Sequence, residues 1–248
     1  MRRPRYLLAA CALILAIAGS ACHPVDPDAL WKIVHQRCVP DQQTHGDPAP
    51  CALVDLAHGE EQGYAVLKDR NGPTQFLLIP TAPLSGIESP ALLAADAPPY
   101  FAEAWEARSF VERAAQRSLP REALGLAINS RYGRSQNQLH IHIDCLKPEV
   151  RNALHAHLGE VGEHWALLDV PLAGRRYRAM RISESAFDRA NPFALLADAP
   201  DGMARHTLVV AGATFEDQTP GFILLDDSAD LWRLDRGHGE DLQSHSCS

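Results

Sequence analysis

The sequence predicts an α+β fold in which helices flank a mainly antiparallel sheet. Three observations predict it. Two strand-like runs, GYAVLKD and TQFLLIP, are joined by the turn formers Asp69, Arg70, Asn71, Gly72 and Pro73, which is a hairpin signal. Two more, GLAINS and NQLHIHIDC, follow one another with only a loop between them. The chain has 248 residues, 46% hydrophobic and 22% charged, enough for one well-buried domain or two small ones. That composition excludes wholesale disorder, a collagen-like chain and a polytopic membrane protein.

Each element has its own signal. Pro27 and Asp28 precede apolar residues Leu30, Ile33 and Val34, the spacing of a short helix that stops near Cys38. VPDQQTHGDPAP then reads as a loop, the hairpin follows, and PTAPLSGIESP is a second loop. Over residues 99–117, Phe101, Ala104, Trp105 and Val111 recur at helical spacing, with Glu103, Glu106, Arg113 and Gln116 opposite. After the central strands, Pro148 sits in the first turn of a helix whose face is Val150, Leu154, Leu158, Val161 and Trp165. Beyond Val170, strands are expected around 177–182, 207–211 and 222–225, and a short helix near 183–196.

The start, MRRPRYLLAACALILAIAGSAC, puts Arg2, Arg3 and Arg5 ahead of an uncharged run over residues 6–22. As a helix at ~1.5 Å per residue that run spans roughly 25 Å, the short end of what crosses a bilayer. Three readings fit: an uncleaved signal anchor over residues 1–25, a lipoprotein processed at Cys22 behind Gly19, Ser20 and Ala21, or a cleaved signal. All three export residues 26–248, and the arginines keep the start of the chain cytoplasmic. The expected location is a bacterial-type inner membrane with the domain on the periplasmic side. Without the three leader arginines, 20 basic face 31 acidic side chains, so a nucleic-acid partner is excluded.

Cys11 and Cys22 belong to the leader, which leaves Cys38, Cys51, Cys145 and Cys247, an even number with three pairings. Cys38 and Cys51 bracket a polar loop that a bridge closes at low strain, and the remaining pair is then Cys145 with Cys247. Four buried thiols are the alternative, and an oxidising compartment favours bridges.

The chemistry concentrates in NSRYGRSQNQLHIHIDC. Alternation along a strand projects His140, His142 and Asp144 from one face and Leu139, Ile141, Ile143 and Cys145 into the core, so a row of titratable groups on an exposed face is expected. Upstream, Gly, Ser, Asn, Gln and two arginines supply amides and guanidiniums suited to phosphate oxygens. A histidine beside an anion site suggests phosphoryl or nucleotidyl transfer, because a neutral imidazole is a good nucleophile and its N–P bond hydrolyses readily. A solvated strand face and a zinc site are the rival readings. His-x-His-x-Asp resembles a metallo-hydrolase ligand segment, but Cys145 stands where a further histidine follows there, and no metal is expected. Lys68, Arg131 and Arg134 are the candidate cations for a phosphate-bearing ligand.

Residues 63–144 resemble the histidine-triad (HIT) superfamily: a strand, PTQFLLIPTAPLSGI, a helix, then Asn129, Gln136 and the His-φ-His-φ-x strand. Within it, LWKIV, NGPTQFLLIPT, GIESP and LAINSRYGRSQNQLHIHIDC resemble the CDP-diacylglycerol pyrophosphatase family, from about Leu30 to the C terminus. The resemblance implies a HIT-like antiparallel sheet with flanking helices, a core of about 60–170 and a C-terminal α/β extension over 171–248. It implies His142 as nucleophile, His140 as its support and Asp144 at the third histidine's position. Asn129, Arg134, Ser135, Gln136 and Lys68 are expected around the phosphates, and no cofactor is expected. The implied substrate is CDP-diacylglycerol in the membrane, split to CMP and phosphatidate. Asp144 in place of histidine, and Thr81-Ala82-Pro83 where many HIT hydrolases carry a further histidine, depart from the pattern. A non-catalytic nucleotide- or lipid-binding module on the same fold is the alternative.

Overall fold

The computed structural model describes residues 26–199 and 202–247. The leader, with its three readings, lies outside the described residues. Among these residues no helix is long and apolar enough to cross a membrane.

The chain opens with α1 (Ala29–Ile33), a wider π turn over Val34–Cys38 and α2 (Val39–His45). The helix therefore runs past Cys38, where a loop was expected. Pro40 falls inside this continuous helical run, just after the wider π turn, and Gly46 ends the helix at φ 68°. Strands β1 (Leu53–Asp55), β2 (Tyr64–Lys68) and β3 (Phe76–Pro80) follow, then α3 (Tyr100–Glu106), α4 (Arg108–Ala115), β4 (Leu124–Ile128), β5 (Ile141–Cys145) and α5 (Pro148–Ala156). Beyond them come β6 (Ala166–Leu167), β7 (Arg178–Ser183), α6 (Glu184–Phe187), α7 (Pro192–Leu196), β8 (Leu208–Thr214) and β9 (Pro220–Asp226). Trp165 leaves the helical face expected of it and donates its indole N–H to the Leu195 carbonyl, 2.8 Å away.

The nine strands of the described residues form one antiparallel sheet in the order β1-β2-β3-β5-β4-β8-β9-β7-β6. The predicted hairpin is its β2–β3 pair, with Val66 opposite Leu78. The residues after Val170 continue the sheet, because β8 pairs with β4 from Gly125–Ala211 to Ile128–Leu208.

One face of the sheet is covered by α3, α4, α6 and α7, with Phe101, Trp105, Val111, Phe187 and Phe193 packed on Leu78, Leu126, Ile143, Val210 and Phe222. The other face is covered in two separate pieces. The N-terminal helix lays Val34, Cys38 and Val39 on Ala65, Leu67, Leu77 and Ile79. Helix α5 brings Val150 and Leu154 against Ala127, Val209, Ala211 and Leu225. Burial of both faces makes the central strands continuously apolar.

Both expected disulfides are formed, Cys38–Cys51 and Cys145–Cys247. The second returns the C-terminal segment, residues 231–247, across β4 and β5. That strap is held by Lys147 N–H to Leu242 O (2.9 Å), Ser244 N–H to Cys145 O (2.9 Å) and the Gln243 amide to the Gly125 carbonyl (2.8 Å).

Candidate active site

His142 sits on β5 where the two coverings of the sheet part. In register it faces Leu77 of β3 on one side and Ala127 of β4 on the other. Leu77 belongs to the core under the N-terminal helix and Ala127 to the core under α5, so His142 stands in the seam between them. A cavity of about 820 Å³ opens there, walled by His140, His142, Asn129, Ser135, Gln136 and Glu240, with Arg37, Lys68 and Arg70 among its cations and Leu30, Ile33 and Leu67 on its apolar side.

The imidazole is held from behind. Its Nδ1 lies 3.3 Å from Glu240 Oε2 and 3.1 Å from the Gln75 side-chain nitrogen, while its buried Nε2 has no hydrogen-bond partner among the described residues. Glu240 is fixed in turn, since Asn129 Nδ2 donates to its Oε1 at 2.8 Å and its own N–H donates to Asn129 Oδ1 at 3.2 Å. His140 donates from Nδ1 to the Gln138 carbonyl, 2.7 Å away, and its ring meets that of His142 edge-on at 4.9 Å.

Burial sets the charge states. It pushes His142 below its ordinary value, with the nearby Glu240 pulling less strongly the other way. Burial and the neighbouring His142 ring take His140 down to about 4. Burial works to raise Glu240, but the two histidines and the Asn129 amide outweigh it and hold this carboxyl below its usual range. At neutral pH the site is thus a pair of neutral imidazoles backed by a carboxylate.

Several expectations change on contact with the structure. The histidine face is not exposed: His142 is 4% and His140 8% accessible, because the N-terminal helix and the C-terminal strap flank it. Asp144 shares that face but is wholly buried and forms no part of the cavity wall. Its Oδ1 accepts from Thr74 Oγ1 and Cys145 N–H, both at 2.8 Å, and burial raises its carboxyl. Arg134 does not line this cavity; its Nη1 is 2.6 Å from Glu88 Oε2 in a largely buried ion pair. Gln136 lines it with its amide already engaged, accepting from Leu30 N–H (3.0 Å) and donating to the Asp26 carbonyl (2.9 Å). Ser135 lies on the wall and Arg131 is exposed. Lys68 lines the cavity while its Nζ donates to the Asp69 and Gly72 carbonyls at 2.6 and 2.9 Å.

Glu240, Gln75, His238, Arg37 and Arg70 are residues of the site that sequence reasoning passed over. For Glu240 a signal existed: pairing Cys145 with Cys247 obliges the preceding tail to cross β5. Among the described residues, a close group of metal-ligand types is found at Asp144, Cys145 and Cys247, and both its sulfurs are spent in the disulfide.

A neutral, carboxylate-backed imidazole in the wall of a cation-bearing cavity is an arrangement suited to a hydrolase acting on an anionic substrate. Comparison with known proteins narrows the class. Residues 25–248 match the family model described as CDP-diacylglycerol pyrophosphatase, and the chain belongs to that family. It is 45% identical over 249 residues to a CDP-diacylglycerol pyrophosphatase of Yersinia pestis, a match covering 98% of this chain and 93% of the relative.

Proposed function

We propose that the protein hydrolyses the pyrophosphate of CDP-diacylglycerol to CMP and phosphatidate on a HIT-like core, through a cytidylyl group carried on His142. The observation that carries this reading, in a chain of this family, is the His142 Nε2 with no partner at the cavity wall. A proton on Nδ1, shared with the Glu240 carboxylate and with the Gln75 amide turned to present its otherwise unpartnered Oε1, leaves the lone pair on Nε2. Nε2 attacks the nucleotide phosphorus, an N–P bond forms, the P–O bond to phosphatidate breaks, and phosphatidate leaves with the electron pair. Water then attacks the same phosphorus and gives up a proton to solvent as the new P–O bond forms, the N–P bond breaks, CMP departs, and the electron pair returns to Nε2. Glu240 offsets the positive charge that the ring gains in the first step, acting as a positioning residue.

Arg37 and Arg70, with Ser135, are the groups we assign to the pyrophosphate, in place of Arg134 and Gln136, whose polar atoms are engaged elsewhere; Lys68, two of whose donors go to the Asp69 and Gly72 carbonyls, adds its charge to the same wall. The membrane completes the reading. A diacyl substrate stays in the bilayer, and Asp26, where the leader joins the domain, lies on the wall of the same cavity. An inner-membrane anchor over residues 1–25 with residues 26–248 in the periplasm would keep the cavity within reach of its substrate.

The test is CMP release from CDP-diacylglycerol in mixed micelles by the purified full chain, with and without EDTA. Release in both is expected. Binding without turnover would mark a non-catalytic module, and loss in EDTA with recovery on zinc would overturn the histidine mechanism.

A further inference from the structure

The two most exposed large apolar side chains of the described residues lie in the strap on either side of Arg233: Trp232 is 98% and Leu234 90% accessible, with Leu231 beside them at 43%. The turn that presents them is built. Asp230 Oδ1 accepts from the N–H groups of Trp232 (3.1 Å) and Arg233 (3.3 Å), and Leu234 is held at φ 59°, a conformation unfavourable for a leucine. Neither side chain is recovering that cost by packing. Just beyond, the Arg236 and Gly237 carbonyls accept from Ser130 Oγ and Ser130 N–H, and His238 enters the cavity wall.

The loop after Ser130 ties this knob to the other end of the domain. At its far end Asn137 N–H donates to the Pro27 carbonyl (2.6 Å) and Gln136 to the Asp26 carbonyl (2.9 Å). The exposed turn and the point where the leader joins are therefore fastened to opposite ends of one loop, whose Gly133, Ser135 and Gln136 line the cavity. Exposed arginines lie around the turn, with Arg233 3.4 Å from Asp230. Asp235 is bound to Arg175, Asp230 caps the turn, and the exposed Arg131 and Arg236 make no ion pair among the described residues.

From this arrangement we infer that Trp232 and Leu234 form a second membrane contact, which enters the interfacial layer of an anionic bilayer and seats the cavity mouth on it. An indole and a leucine flanked by arginines suit that layer, where apolar groups reach the acyl boundary and guanidiniums meet phosphate headgroups. A leader alone leaves the domain free to turn on its tether; a second weak contact on the cavity rim orients it. The inference rests on the lipid substrate proposed above.

Two measurements test it. In vesicles of brominated phosphatidylcholine and phosphatidylglycerol carrying the full chain, part of the tryptophan fluorescence should be quenched, and Trp232→Phe should remove that part. The Trp232→Ser/Leu234→Ser variant should hydrolyse vesicle-borne CDP-diacylglycerol with kcat/KM lowered about tenfold, while its rate on a short-chain, water-soluble analogue stays at the wild-type level. No quenching in the wild type, as expected of a knob that docks a protein instead, overturns the inference. So does an equal loss on both substrates, or none on vesicles. A wild type inactive on both substrates overturns the proposed function instead, and the quenching result alone then decides the membrane contact.

Discussion

Glu240 approaches His142 from the last turn of the chain and divides its carboxylate between two strands: Oε2 lies 3.3 Å from His142 Nδ1 on β5, and Oε1 accepts from Asn129 at the end of β4. Held at both oxygens, the carboxylate can neither rotate away nor turn the imidazole over. With the Gln75 amide turned so that its unpartnered Oε1, not its nitrogen, meets Nδ1, the carboxylate favours the tautomer with its proton on Nδ1 and the lone pair on the buried Nε2. Asn129, which the sequence suggested as a phosphate contact, is spent on this carboxylate.

Glu240→Gln keeps the shape and removes the charge. We expect kcat to fall about 100-fold with KM little changed, since the lost interaction strengthens as the ring becomes cationic. Glu240 raises the affinity of His142 for its proton, so without that charge the acid limb of the kcat/KM profile should shift to lower pH. An unmoved acid limb would reduce Glu240 to a packing residue.

The Cys145–Cys247 bridge holds the strap that carries Glu240. It closes a loop of 102 residues, for which chain entropy gives about 4 to 5 kcal/mol of stabilisation. Cys247→Ser should lower the melting temperature sharply and, below its melting point, reduce kcat more than it raises KM. Full activity in the folded variant would show that the hydrogen bonds of Lys147, Ser244 and Gln243 hold the strap without the bridge.

What the sequence revealed follows the range of the forces involved. The hairpin at Gly72, the α3–α4 stripe and the β5 alternation are set by neighbours a few residues apart, so periodicity finds them. The helix across Pro40 escaped because Val34, Cys38 and Val39 find their apolar partners on the sheet, and packing outweighed a local breaker. His140 and His142 were legible in one strand. Arg134 misled because its partner Glu88 lies in a distant loop, and Arg70 was passed over as an ordinary turn residue.

Those two arginines should behave oppositely. Arg70→Ala should raise KM severalfold while leaving the fold intact, as loss of one charge-assisted phosphate contact would. Arg134→Ala strips a largely buried Glu88 of its cation and should cost about 3 kcal/mol of stability, most of it recovered in the double variant with Glu88→Gln. Urea unfolding of the three variants, set beside their KM values, separates the roles. A stable Arg134→Ala enzyme with a high KM would return that residue to the phosphate site.

His140 makes stability depend on pH. Its folded value of about 4 lies below the ordinary 6.5, so between these limits the unfolded chain binds the extra proton. Stability should therefore be greatest above pH 6.5 and decline as the pH falls towards 4, by roughly 3 kcal/mol from this group. Carboxylates titrate near the lower end, so the readout is a difference: His140→Asn should flatten the fall in melting temperature between pH 6.5 and 5. Parallel curves for variant and wild type would refute this account.

The mechanism stands or falls on His142. In the proposed mechanism the neutral His142 ring, with its Nδ1 engaged and its buried Nε2 unpartnered, bonds to phosphorus, and the neutral His140 ring beside it adds no charge to repel the cation that forms. Splitting the displacement in two predicts an intermediate with the cytidylyl group on protein. An N–P bond survives base and breaks in acid, so an alkaline quench of a single turnover with substrate labelled in its CMP part should trap label on the chain, and acid should release it as CMP. His142→Ala should abolish both the label and turnover. Asp144 is buried outside the cavity wall, with Thr74 and the Cys145 amide on its Oδ1, so Asp144→Asn should form the intermediate at a moderately reduced rate. If wild-type enzyme completes its first turnover without labelled protein, or if His142→Ala turns over at the wild-type rate, water attacks the pyrophosphate directly and His142 is not the nucleophile.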